Sequence, residues 1–227
     1  MFDFDSKTAV NELVGVFNHP SVNLPRIASC LTEFINNVTR IVLLGESGSG
    51  KSSVGNFLLG RDPESSPSFK ASTGTKSCTL QTKEIIGTWL GNGNLCAIVD
   101  TPGMNDSDNR DTEHMRNIVN FLKEISFVNC FLLVRNGCNP RMSFSFKRML
   151  STFELTFGRR FWEHTAINIT RVKNNHKNIE EQNAEWKSEI NSVCPDSSNA
   201  PLRSFVLDIE EESEIFRANA KSFGGAL

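Results

Sequence analysis

Positive charge is not in surplus in this sequence: 24 lysines and arginines face 26 aspartates and glutamates, a formal net charge of −2. Without a bulk positive field, nucleic acid and acidic membrane surfaces are excluded as general partners, although a single small anion is not. Cysteine motifs are missing too. Cys30, Cys78, Cys96, Cys130, Cys138 and Cys194 form no C-x-x-C pair and have no histidine at zinc spacing. They read as buried free thiols in a reducing compartment rather than a disulfide framework or metal site. His19, His114, His164 and His176 are scattered with no paired spacing on one helix, which leaves a metal centre or nucleophilic triad without support. The longest apolar run, Phe127 to Val134, is broken by Asn129 and is far short of the ~20 residues a membrane helix needs. No integral membrane segment is expected. The acidic start, Met1-Phe2-Asp3-Phe4-Asp5, lacks the basic and apolar stretches of a secretory leader, so a cytoplasmic location is expected. Three Asn-x-Ser/Thr triplets, at Asn37, Asn105 and Asn168, therefore read as chance. Tyrosine is absent, and phenylalanine, at 17, supplies most of the aromatic mass. Phe121, Phe127, Phe131, Phe144, Phe146, Phe153 and Phe157 fit core faces.

What remains is a composition with a core to bury. Apolar residues are 38% of 227, which at ~150 residues per domain allows one large domain or one domain with an appendage. Val10, Leu13, Val14 and Phe17 fall on one helical face that ends at His19-Pro20, and Ile27, Leu31, Phe34, Ile35 and Val38 form a second. Residues 1–38 thus read as an N-terminal helical extension, and 39–227 as the main domain. Ile41-Val42-Leu43-Leu44 is a short continuous apolar run ending in glycine, as in a parallel strand buried on both faces. A helix over 50–59 follows, then a polar loop from Arg61 to Ser77. Thr79 to Leu90 and Leu95 to Val99, about a Gly/Asn turn, read as a hairpin. Helices are expected over 112–125, 142–157, 177–193 and 210–222, with strands over 127–134, 164–170 and 203–208. This alternation predicts an α/β fold: a mostly parallel sheet with helices on both faces.

The chemistry concentrates after the first strand. Gly45-Glu46-Ser47-Gly48-Ser49-Gly50-Lys51-Ser52 fits G-x-x-x-x-G-K-[ST] between a strand and a helix, with Ser53 next in line. Such a loop needs glycine where backbone N–H groups wrap a phosphate, because a Cβ would block the turn or the approach. The helix start favours an anion, Lys51 places a full charge on the β- and γ-phosphates, and Ser52 offers a hydroxyl to Mg²⁺. Asp100-Thr101-Pro102-Gly103 directly follows an apolar strand. There Asp100 can hold a Mg²⁺-bound water and the Gly103 N–H can reach a γ-phosphate. In the polar loop between them, Thr73 or Thr75 can ligate Mg²⁺ when triphosphate is bound.

These residues, together with Val54-Gly55-Asn56-Phe57-Leu58-Leu59-Gly60, Thr75-Lys76-Ser77-Cys78 and Trp89, resemble the AIG-type, immunity-associated GTPases, a P-loop family related to septins and to the chloroplast import GTPases. The resemblance implies a Ras-like G domain, GTP or GDP with Mg²⁺, and a nucleotide-dependent homodimer or oligomer; hydrolysis is expected to be slow because the Met104 thioether orients water poorly. The resemblance favours Thr75 over Thr73, through the family's T-x-x-C, as metal ligand and catalytic residue beside Lys51. The family's guanine-reading [TN]-[KR]-x-D falls on Thr170-Arg171-Val172-Lys173, so the aspartate is replaced by lysine. Guanine presents N–H donors that a carboxylate accepts, whereas an ammonium only donates. Asn174, Asp208 or Glu210 can supply acceptors instead; otherwise base selectivity weakens or adenine enters. A non-hydrolysing scaffold is the rival reading, because Met104 stands where Ras-like enzymes place a water-orienting glutamine. Arg110 and Arg116 read as surface charges rather than catalytic groups.

Overall fold

The computed structural model describes residues 38–61, 68–70, 81–91, 93–105, 110–125, 127–139, 141–171, 176–200 and 202–206. The expected helices within 1–38 and over 210–222 lie outside these residues, as do Thr75, Lys173, Asn174, Asp208 and Glu210. The elements are β1 (Thr39–Gly45), α1 (Lys51–Leu58), β2 (Lys83–Thr88), β3 (Leu95–Asp100), α2 (Asp111–Glu124), β4 (Cys130–Asn136), α3 (Phe144–Phe157), α4 (Arg159–Glu163), β5 (Thr165–Thr170), α5 (His176–Val193) and β6 (Arg203–Val206).

The six strands form one sheet in the order β2-β3-β1-β4-β5-β6. β2 pairs antiparallel with β3, and every other pair is parallel. Parallel strands need covered faces, and the period-two alternation of side chains supplies both. Val42, Leu44, Val99, Phe131, Leu133 and Ile167 point to one face, where Ile118 of α2, Phe146 and Phe153 of α3, Phe161 and Trp162 of α4, and Trp186 of α5 close over them. Ile41, Leu43, Ile98, Cys130 and Leu132 point to the other, under Val54 and Leu58 of α1 and under Phe69. β1 lies between β3 and β4, where the chain order reverses, and ligand crevices in such sheets open at the carboxyl ends of these strands.

Several expectations change in detail. β4 starts at Cys130, not Phe127, and runs on through Arg135 to Asn136. Asn129 fixes the start, donating its N–H to the Arg40 carbonyl and accepting the Arg40 N–H on its side-chain oxygen. Arg135 does not end the strand because Gln182 and Trp186 of α5 bury its guanidinium. Of the predicted core phenylalanines, Phe144, at the first position of α3, is 80% exposed, while Phe157, at the last, is 39% exposed and lies at the core's edge with its ring against Phe131 and Phe153. The short α4 was not anticipated. It follows Gly158 in the left-handed region (φ 62°) and drives Phe161 and Trp162 inward. Of the described cysteines, Cys96, Cys130 and Cys194 are buried free thiols, as expected, but Cys138 is exposed. Asn168 is fully buried in β5, which closes that triplet to glycosylation in the folded chain.

Candidate phosphate-binding site

The loop 46–50 leaves β1 and delivers the chain to α1 without a side-chain cap at Gly50. Gly48 (φ 74°) and Gly50 (φ 95°) take left-handed backbone conformations that other residues enter only with strain. The first-turn N–H groups of a helix have no partners within it, so the start of α1 offers donors and a positive dipole end.

Lys51, only 6% exposed, folds back over this loop. Its Nζ donates to the carbonyls of Glu46 (2.9 Å) and Gly45 (3.3 Å). Burial outweighs the favourable fields of Asp100 and Glu46 and lowers its pKa from 10.5 to about 8. An ammonium buried among carbonyls is poised to gain from an anion. Beside it, Ser52 Oγ donates to Asp100 Oδ2 at 2.7 Å, with Asp100 buried at the end of β3. A hydroxyl and a carboxylate in contact form an all-oxygen donor set that fits a hard cation such as Mg²⁺.

The segment after Asp100 is stitched to the same loop. Thr101 Oγ1 donates to the Leu43 carbonyl (2.6 Å). The Met104 N–H donates to the Gly45 carbonyl (3.1 Å), and the Ser47 N–H to the Met104 carbonyl (2.7 Å). A Cβ on Gly103 would lie 2.5 Å from Ser47 Cα and 3.0 Å from Lys51 Nζ, so only glycine allows this approach. The Met104 side chain, 1% exposed, is in the apolar core with Val42, Val99 and Ile118.

Two further tethers were not legible in sequence. The Glu46 carboxylate accepts the Ser143 N–H at 2.6 Å, tying the phosphate loop to the start of α3. Asn56 of α1 holds Phe69 by its backbone N–H and carbonyl, both at 2.8 Å. The paired donor and acceptor of a buried amide in a helix after G-K-S is the signal that could have found the second. On the opposite side, Thr170 Oγ1 donates to the Ser49 carbonyl (2.7 Å) and lies 3.1 Å from that of Arg135. Arg171 follows at φ 54°, its carbonyl facing Cys138 Sγ at 3.4 Å. The structure thus gathers Gly45 to Ser53, Asp100, Gly103 and Thr170 at one end of the sheet.

The AIG1 family profile matches residues 39–215. Immune-associated nucleotide-binding protein 12 of Arabidopsis thaliana is 28% identical over 208 residues, covering 81% of this chain and 49% of that protein. The chain therefore spans about half the length of this curated relative. Toc33 from Arabidopsis thaliana in complex with GDP and Mg²⁺ shares the fold, with a TM-score of 0.62 at 19% identity over 78% of this chain and 76% of that one. A structure of the chloroplast translocon components atToc33 and psToc159, for which dimerization is important for GTPase activity, gives a TM-score of 0.63 at 18% identity over 78% and 75%. With the motif in place and the family profile matching residues 39–215, most of the chain, this chain belongs to the AIG1 family.

Proposed function

We propose that the chain is a guanine-nucleotide switch that binds GTP and GDP with Mg²⁺, hydrolyses GTP slowly and couples this to self-association. The observation that carries the reading is the buried Lys51 ammonium, donating to the loop carbonyls of Gly45 and Glu46, next to the Ser52–Asp100 pair. On this reading Lys51 and the loop amides grip the phosphates. Ser52 holds the metal directly and Asp100 holds its water shell, with Thr75 joining through the family resemblance. Mg²⁺, when bound, neutralises charge on the β- and γ-oxygens. The Gly103 N–H, pressed against the loop, reports whether a γ-phosphate is present. Thr170 braces the loop from the base side, while Arg171 and Asp208 are the proposed neighbours of the base. Buried Cys96, Cys130 and Cys194 as free thiols support a reducing, cytoplasmic setting. Among the described residues no helix is long and apolar enough to cross a membrane.

One observation favours a second reading. Met104 is buried, so the position after Gly103 offers nothing to orient water, and the chain then acts as a nucleotide-gated scaffold. Single-turnover phosphate release across protein concentrations separates the two. A rate that rises with concentration is expected for the self-associating GTPase; no release at any concentration establishes the scaffold. GDP is expected to displace a labelled guanine nucleotide at least tenfold better than ADP. Equal displacement would mean that the lysine at 173 has cost the site its base selectivity.

A further inference from the structure

His114 is 1% exposed, buried in the first turn of α2, and no step of the proposed function uses it. Its Nδ1 lies 2.8 Å from the Gly103 carbonyl. A carbonyl oxygen only accepts, so Nδ1 carries the proton and donates. The same Gly103–Met104 peptide gives its N–H to the Gly45 carbonyl, and the next carbonyl takes the Ser47 N–H. That peptide is therefore held on one side by the phosphate loop and on the other by an imidazole. A rigid peptide fixes the direction of the glycine amide that precedes it, and a donor aimed in advance binds its acceptor without the cost of ordering.

We infer that His114 is a positioning residue for γ-phosphate recognition: by holding the Gly103 carbonyl it aims the Gly103 N–H and couples the start of α2 to the phosphate loop. The inference rests on the guanine-nucleotide reading and adds a residue to it. The β- and α-phosphates meet the 45–53 loop rather than Gly103, so His114 acts on triphosphate and leaves diphosphate alone. A packing role would weaken both nucleotides together.

The test is calorimetric titration of the full chain with GDP and with the non-hydrolysable triphosphate GMPPNP, each with Mg²⁺. His114→Phe keeps the buried volume and removes the donor. It is expected to weaken GMPPNP about tenfold, the worth of one buried hydrogen bond, while GDP changes less than about twofold. His114→Asn, whose amide can donate from a similar place, is expected to recover most of the loss. Equal weakening of both nucleotides, or no change in either, overturns the inference. If His114→Phe does not fold, nitrogen-15 spectra of the native chain decide, since only four histidines need assignment. A protonated Nδ1 that shifts with GMPPNP and not with GDP supports the inference, and a bare Nδ1 overturns it. Failure of the native chain to bind either nucleotide removes the functional reading and this inference with it. Native binding with an unchanged nucleotide ratio in His114→Phe removes the inference alone.

Discussion

Lys51 holds its proton less firmly than an exposed lysine, because burial lowers its pKa to about 8. Below that pH the empty pocket already contains an ammonium, and phosphate binding needs no proton. Above it the amine is largely neutral, and an arriving phosphate draws a proton back onto it. Affinity for GDP, measured without Mg²⁺ so that no metal shares the pocket, should therefore fall as pH rises from 8 to 9. Calorimetry at pH 9 in buffers of different ionisation enthalpy should show uptake approaching one proton. Affinity that rises over this range would contradict the placement of Lys51. The meeting of Lys51, Ser52 and Asp100 at one end of the sheet was readable because the motif puts two of them at a helix start and the third at a strand end. Glu46, Asn56 and His114 were not, because their partners are backbone groups 97, 13 and 11 positions away in the chain. No spacing rule marks such partners.

At the scale of elements, α1 does more than present the phosphate loop. Its Asn56 satisfies both backbone polar groups of Phe69, whose ring packs on β1 and α1. Asn56→Ala would leave a buried N–H and a buried carbonyl without partners. It should cost about 2–3 kcal/mol of stability, read as a lower midpoint in urea unfolding at unchanged slope. A loss under about 0.5 kcal/mol would mean that the tether is open in solution. The helices over 112–125, 142–157 and 177–193 were legible within two residues from apolar periodicity. Strand ends were less so. Arg135 looks like a terminator until α5 supplies the Gln182 carbonyl and the Trp186 ring that bury it. The five-residue α4 is too short for periodicity to reveal, and Phe144 shows that a helix-end aromatic can face solvent.

For the molecule as a whole, the alternation of elements announced an α/β sheet, but not that β1 would lie between β3 and β4. That order shapes the candidate site. It brings the 45–53 loop, Asp100 and the turn after β4 to one crevice, from segments up to about 90 residues apart in sequence. Glu46, reaching Ser143, and Thr170, reaching Ser49, close the crevice into a continuous framework. On the proposed function, this framework grips a nucleotide by its phosphates through Lys51. Titration of GDP with Mg²⁺ into the native chain and into Lys51→Ala tests it most directly. Saturable binding to the native chain is expected, with a loss of at least about a hundredfold in the variant and the fold retained by circular dichroism. Undiminished affinity in Lys51→Ala would contradict it.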